Sequence, residues 1–169
     1  SIPEGSNACI SKIRKYLYGM PKRSLTTWFI PDTNSYETMM TNRKLPPAFA
    51  DLTPFMDWAL PTESQRLKKR EESTMDEISA FYAAAQPRAA AVLDHFRATD
   101  QKMSKDQAEI DVETQNLFTL MLALSEVSLS TEIHRSSTVP DGMAWDVWKP
   151  EHETPAWKHK PKVHLFPAG

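Results

Sequence analysis

The apolar residues of this chain keep a helical rhythm through its middle and lose it on both sides. Met75, Ile78, Tyr82, Ala85, Ala89, Val92 and Phe96 are spaced alternately three and four residues apart. That is the seam of a helix packed lengthwise along a partner helix. The pattern predicts a helix that opens at Thr62. Pro61 precedes it, and Gln65 stands where Thr62 and Gln65 can satisfy each other's backbone N–H groups as a capping box. Pro87 falls inside the seam without shifting its phase. A proline removes one helical hydrogen bond and crowds the carbonyl four residues back. A kink over residues 83–87 is therefore expected, with the helix continuing. The alternative is a break that puts Pro87 in the first turn of a separate helix.

The polar stretch 99–103 reads as the connection. Ser104 with Gln107 then forms the capping box of a second long helix reaching His134. Over residues 117–124 this second helix is apolar nearly all round, with Leu117, Phe118, Leu120, Met121, Leu122 and Leu124. A helix that is apolar on every side is buried on more than one side. A single partner helix covers only a stripe, so the rest calls for cover from the flanking segments or from another chain.

Proline and glycine mark the flanks. The chain has 13 prolines and 4 glycines, and Pro87 is the only residue of either type between 62 and 139. Helix interiors reject both, proline by clash and a lost bond, glycine by entropy. The N-terminal arm, residues 1–61, is expected to hold an amphipathic helix at 7–18, a short strand at 24–30 and a helix at 48–60. The last of these carries Phe49, Leu52, Phe55, Met56 and Trp58. The C-terminal arm, residues 136–169, holds five of the prolines and three of the five tryptophans, and is expected to be extended or turned. The fold class expected is all-α: a long antiparallel helical hairpin at 62–135, short flanking helices, and extended arms rich in proline and tryptophan.

Charge narrows the function classes. The net charge is −2 and the pI near 6.2, so nucleic acid is not the expected partner. The charge is uneven: residues 1–46 carry seven basic and three acidic side chains, residues 100–134 two basic and seven acidic. The basic arm is expected to fold on the acidic helix, the alternative being that each meets its own partner. The cluster Arg66, Lys68, Lys69 and Arg70 runs straight into Glu71, Glu72, Asp76 and Glu77, which reads as a solvated face laced with pairs four residues apart. Cys9 is the only cysteine, so no intrachain disulfide can form. The longest apolar run, 117–129, contains Glu126 and is shorter than the roughly 20 residues a membrane span needs. Residues 1–20 have no apolar core of the kind a signal peptide carries.

The usual catalytic and metal patterns are missing. No Gly-x-Ser-x-Gly elbow occurs, and four scattered glycines leave no phosphate-cradling loop. A di-metal bundle needs Glu-x-x-His pairs, whereas Glu132 and His134 are two apart and face different ways on a helix. Asp94 and His95 could be an acid–base pair. At the expected end of the first helix, however, His95 is read as facing the helix dipole. No catalytic, cofactor-binding or metal-binding residue is assigned.

These features favour a non-catalytic accessory or scaffold subunit of a larger multiprotein assembly over an enzyme. Its partners would be other protein subunits. The residues expected to bind them are Trp28, Phe29, Trp145, Trp148, Trp157 and Phe166 in the arms, with Leu117 and Met121 on the over-apolar helix. The composition suits an organellar, respiratory-type complex, which would place the protein inside the cell in the mitochondrion. The alternative is a free-standing α-helical enzyme or carrier, homodimeric, with an apolar ligand pocket lined by Phe81, Tyr82, Phe118 and Met121.

Overall fold

The structure is a computed structural model, and it describes residues 43–106, 110–144 and 146–147. The expected helix at 7–18, the strand at 24–30, Cys9 and the fold-back of the basic arm lie outside these residues. The described residues form an all-α body with no strand among them. In order they are a 3-10 segment (Pro47–Trp58), α1 (Glu63–Glu72), α2 (Met75–Ala85), a 3-10 turn (Gln86–Arg88), α3 (Ala89–Asp106), α4 (Val112–Leu129) and a π turn (Ser130–His134).

The capping box at Thr62 opens α1: Gln65 N–H donates to Thr62 Oγ1 at 3.2 Å and Thr62 N–H donates to Gln65 Oε1 at 3.3 Å. The helix then stops earlier than the seam suggests. Ser73 and Thr74 are extended, with ψ of 151° and 157°. A second capping box restarts the chain as α2. Glu77 N–H donates to Thr74 Oγ1 at 3.3 Å, and Thr74 N–H donates to Glu77 Oε2 at 2.8 Å. The backbone N–H and the hydroxyl of Thr74 both donate to the Glu77 carboxylate and hold its pKa below the ordinary carboxylate value.

At Pro87 the backbone stays right-handed helical from Ala85 to Ala89, tightened to 3-10 bonding over Gln86–Arg88. A short change of hydrogen-bond register is enough to accommodate the missing N–H. The expected connection at 99–103 is inside α3, which runs on to Asp106. Thr99, the polar residue that opens that stretch, donates its hydroxyl to the His95 carbonyl at 3.0 Å and so stays within the helix. The cap of the next helix is Asp111, whose Oδ1 accepts the Thr114 N–H at 2.8 Å. Ser104, the expected cap, lies inside α3.

The α2–α3 path runs antiparallel to α4 and its π turn: Tyr82 meets Glu132, His95 meets Thr114 and Phe96 meets Phe118. The seam is the buried face, with Ile78, Ala85, Ala89, Val92 and Phe96 all at 1% exposure or less. Helix α4 is the centre of the body. The 3-10 segment, α1, α2 and α3 all pack on it, which is how nearly every residue from 116 to 128 comes to be buried. Buried hydroxyls along α4 turn inward on the helix itself. Thr119 donates to Gln115 O at 3.0 Å, Ser125 to Leu122 O at 2.7 Å and Ser128 to Ser125 O at 2.8 Å. Polar side chains satisfied in this way can sit in the core without an outside partner.

The 3-10 segment belongs to the same core. Phe49, Leu52, Met56 and Trp58 join the buried cluster of α2, α3 and α4, and Trp58 stacks on Phe81 with centroids 5.1 Å apart. Asn116 donates to the Lys44 carbonyl at 2.9 Å and pins the chain just before this segment. Residues 43–60 and the helices from Glu63 onward are thus one packed unit.

Candidate partner-binding surface

Where α4 ends, the chain leaves the body under tight polar control. Arg70, on α1, is 4% exposed. One terminal nitrogen donates to the Ser137 carbonyl at 2.6 Å and, at the longer distance of 3.4 Å, to Ser130 Oγ; the other lies 3.4 Å from Glu71. On the neighbouring helix α2, Tyr82 Oη donates to Glu132 Oε1 at 2.5 Å. Arg135 closes the π turn in the left-handed region, φ 52°. A second reversal follows: Gly142 N–H donates to the Val139 carbonyl at 3.0 Å, with Asp141 at φ 58°. Glycine is needed there, because a Cβ on residue 142 would meet Val139 Cβ at 2.8 Å.

This anchored segment presents apolar side chains to solvent. Ile133 is 63% exposed, Val139 40%, Met143 64% and Val147 67%. Single exposed apolar residues are ordinary; four within fifteen residues of sequence make this stretch stand out from the rest of the described chain. The expected arm residues Trp145, Trp148, Trp157, Phe166, Trp28 and Phe29 lie outside the described residues; Trp145 falls in sequence between Met143 and Val147.

Leu117 and Met121 stand elsewhere. They are 0% and 1% exposed in the chain's own core, because the 3-10 segment and α1 supply the cover that the α2–α3 seam does not. They offer no surface to a partner in this fold. The residues of the alternative pocket are likewise packed against the chain itself. Phe81 and Phe118 are buried, Phe81 against Phe55 and Trp58, Phe118 edge-on to Phe96. Met121 is buried with them, and Tyr82 turns its hydroxyl to Glu132.

The basic run on α1 divides between core and surface. Lys68 pairs with Glu72 across 3.9 Å on the exposed side, as the spacing suggests. Arg66 and Arg70, one turn apart, are instead buried. Arg66 donates to the Leu60 and Pro61 carbonyls at 2.9 and 3.0 Å. Lys69 lies over the Trp58 ring at 5.1 Å and pairs with Asp57 at 3.0 Å, an arrangement that covers one face of that ring.

His95 sits well inside α3, away from the ends of its own helix, and faces the first turn of α4. Its Nε2 is 3.1 Å from Thr114 Oγ1, and Thr114 donates its own hydroxyl proton to Asp111 Oδ2 at 2.9 Å. Nε2 must then carry the hydrogen and donate. Phe49 packs edge-on to the imidazole with centroids 5.5 Å apart. Burial is the largest cause holding the His95 pKa below its ordinary value; Asp111 partly offsets it and Lys102 adds to it. The order here is carboxylate, hydroxyl, imidazole. A nucleophile relay of the serine-triad type has the imidazole in the middle; here the chain of bonds runs in a different order and ties α3 to the cap of α4. Asp94 faces outward to Arg97, at 2.7 Å.

Among the described residues no three His, Cys, Asp or Glu side chains are grouped to hold a metal ion. No helix among them is long and apolar enough to cross a membrane. No protein-family model, no curated protein and no solved structure matches the chain.

The sequence carried a signal for the surface residues that were not singled out. Ile133, Val139, Met143 and Val147 follow the apolar run 117–129, and they alternate with turn formers and charges such as Pro140, Asp141, Gly142 and Asp146. Apolar residues outside any helical or strand period have no element to bury them.

Proposed function

We propose that this protein is a non-catalytic accessory or scaffold subunit of a larger multiprotein assembly, and that it meets neighbouring protein subunits through residues 133–147. The observation that supports this reading is the pairing of anchorage with exposure. Arg70 and Tyr82 hold the chain to the helical body at Ser137 and Glu132, while Ile133, Val139, Met143 and Val147 stay open to solvent. An ordered apolar surface suits binding because less conformational entropy is lost when a partner docks. Trp145 falls in the same stretch of sequence, Trp148 directly follows it, and both are of the residue type most enriched at binding hot spots.

For the host we propose an organellar, respiratory-type complex in the mitochondrion. The support is compositional: a pI near 6.2 lacks the basic surplus that an RNA-rich assembly demands.

The test is purification from the native source of the tagged chain beside a variant with Ile133, Val139, Met143 and Val147 all changed to serine. The wild-type chain is expected to bring down a defined set of protein subunits in constant proportion, in an organelle fraction. The variant should lose them while its helicity is unchanged. A wild-type chain that elutes alone at its own mass, or a variant that keeps every partner, contradicts the reading.

A further inference from the structure

The burial of Arg70 needs a physical reason. A guanidinium removed from water is costly unless its hydrogen bonds are completed, and here Nε has no hydrogen-bond acceptor. The carboxylate beside it, Glu71, is its immediate neighbour on the same helix and lies 3.4 Å away, so that pair joins no two parts of the fold. The shortest contact of the side chain is the 2.6 Å bond to Ser137 O, which spans 67 residues of sequence. The second contact of this kind is Tyr82 to Glu132, which spans 50 residues. Both donors come from the first half of the helical body, and their acceptors bracket the stretch in which the π turn gives way to the left-handed Arg135.

We infer that Arg70 and Tyr82 form a two-point strap that fixes residues 132–137 on the helical body and thereby sets the position of the apolar surface beyond. The purpose of the strap rests on the partner-binding reading; its existence does not. The π turn is the part that needs it. Ser130–His134 leaves the α-helical register for a single π turn, a wider and less common ladder than the one that runs through α4. The neighbouring helices add side-chain bonds: Ser130 Oγ and Ser137 O go to Arg70, and the Glu132 carboxylate goes to Tyr82. Among the described residues the charged group paired with Arg70 is Glu71.

Limited trypsin digestion of the full chain tests the strap, with no partner present. Arg135 and Arg97 are both exposed; Arg135 lies inside the strapped segment, and Arg97 lies on α3 and reports opening of the body. Arg70→Met should speed cleavage after Arg135 by roughly tenfold, the scale expected for losing a charged hydrogen bond, with little change after Arg97. Tyr82→Phe keeps the ring and removes only the hydroxyl. It should act in the same direction by a smaller factor, and it decides the matter alone if Arg70→Met does not fold. Arg70→Lys, which can restore one bond to Ser137 O, should give back part of the protection. Equal acceleration at both sites would make these residues general supports of the fold and overturn the strap, and so would no acceleration at Arg135 in either variant. Because the readout uses the chain alone, it stands or falls independently of whether partners are found.

Discussion

Residues 117–124 precede the π turn and residues 133–147 begin within it, and both carry large apolar side chains. The first stretch is wrapped on all sides: Leu117, Leu120 and Leu124 are fully buried beneath the 3-10 segment, α1, α2 and α3. The second is bonded to the same body by Arg70 and Tyr82 yet leaves Ile133, Met143 and Val147 more than half exposed. Apolar content therefore does not by itself mark a binding surface. What separates the two stretches is whether the chain has spare elements to cover them. Around α4 it uses four. Beyond His134 the described residues offer only turns, and polar bonds supply the order that packing supplies elsewhere.

The sharpest way to break this comparison is in the core. Phe96→Ala removes a ring that is 0% exposed and sits edge-on to Phe118. It should lower stability by about 3–5 kcal/mol in urea unfolding; a loss under about 1 kcal/mol would mean the α3–α4 contact is looser than described. A smaller effect is expected where α1 gives way to α2. Thr74→Ala deletes the capping hydroxyl that accepts from Glu77 N–H and should cost about 1 kcal/mol by the same measurement. An unchanged midpoint would argue that the helix runs unbroken through residues 73–74.

His95 gives a pH-dependent test of the other end of α4. Its folded pKa lies below the unfolded value of about 6.5. The unfolded chain therefore binds a proton more readily, and the stability contribution present at neutral pH is lost as pH falls through the imidazole range. The drop in the urea midpoint of the wild-type chain from about pH 7.5 to about pH 5 should exceed that of His95→Gln. Identical slopes would show that the imidazole feels no burial. The smallest effect belongs to the exposed stretch: changing Ile133, Val139, Met143 and Val147 together to serine should alter the urea midpoint by no more than the equivalent of about 0.5 kcal/mol, as surface substitutions do. A large loss would place these residues in the protein's own core and remove the contrast on which the functional reading stands.

Much of the body was legible in the residue pattern. The all-α class, the seam from Met75 to Phe96 and the cap at Thr62 are local properties of helices, and local periodicity reports them. The break at Ser73 was also written in the chain, in the spacing of Thr74 and Glu77, but the longer-range seam masked it. The connection after α3 was misplaced because polar residues at 99–103 look like a loop, whereas α3 stays helical through Asp106 with no proline or glycine to stop it. The candidate surface was less legible. Leu117 and Met121 stand out by hydrophobicity, and nothing local states that a 3-10 segment more than fifty residues earlier covers the helix they lie on. Arg66 and Arg70 read as surface charge for the same reason: their acceptors, Leu60, Pro61 and Ser137, become neighbours only in the folded chain.

The central claim is that residues 133–147, and not the helical faces, meet other proteins. Site-specific photo-cross-linking tests it most directly, with a photoreactive residue at Met143 in one sample and at Ala90, exposed on α3, in another, both in the native cellular background. The account predicts discrete protein adducts from position 143, lost when Ile133, Val139 and Val147 are changed to serine, and none from position 90. Adducts of the same partners from both positions, or none from position 143, would contradict it.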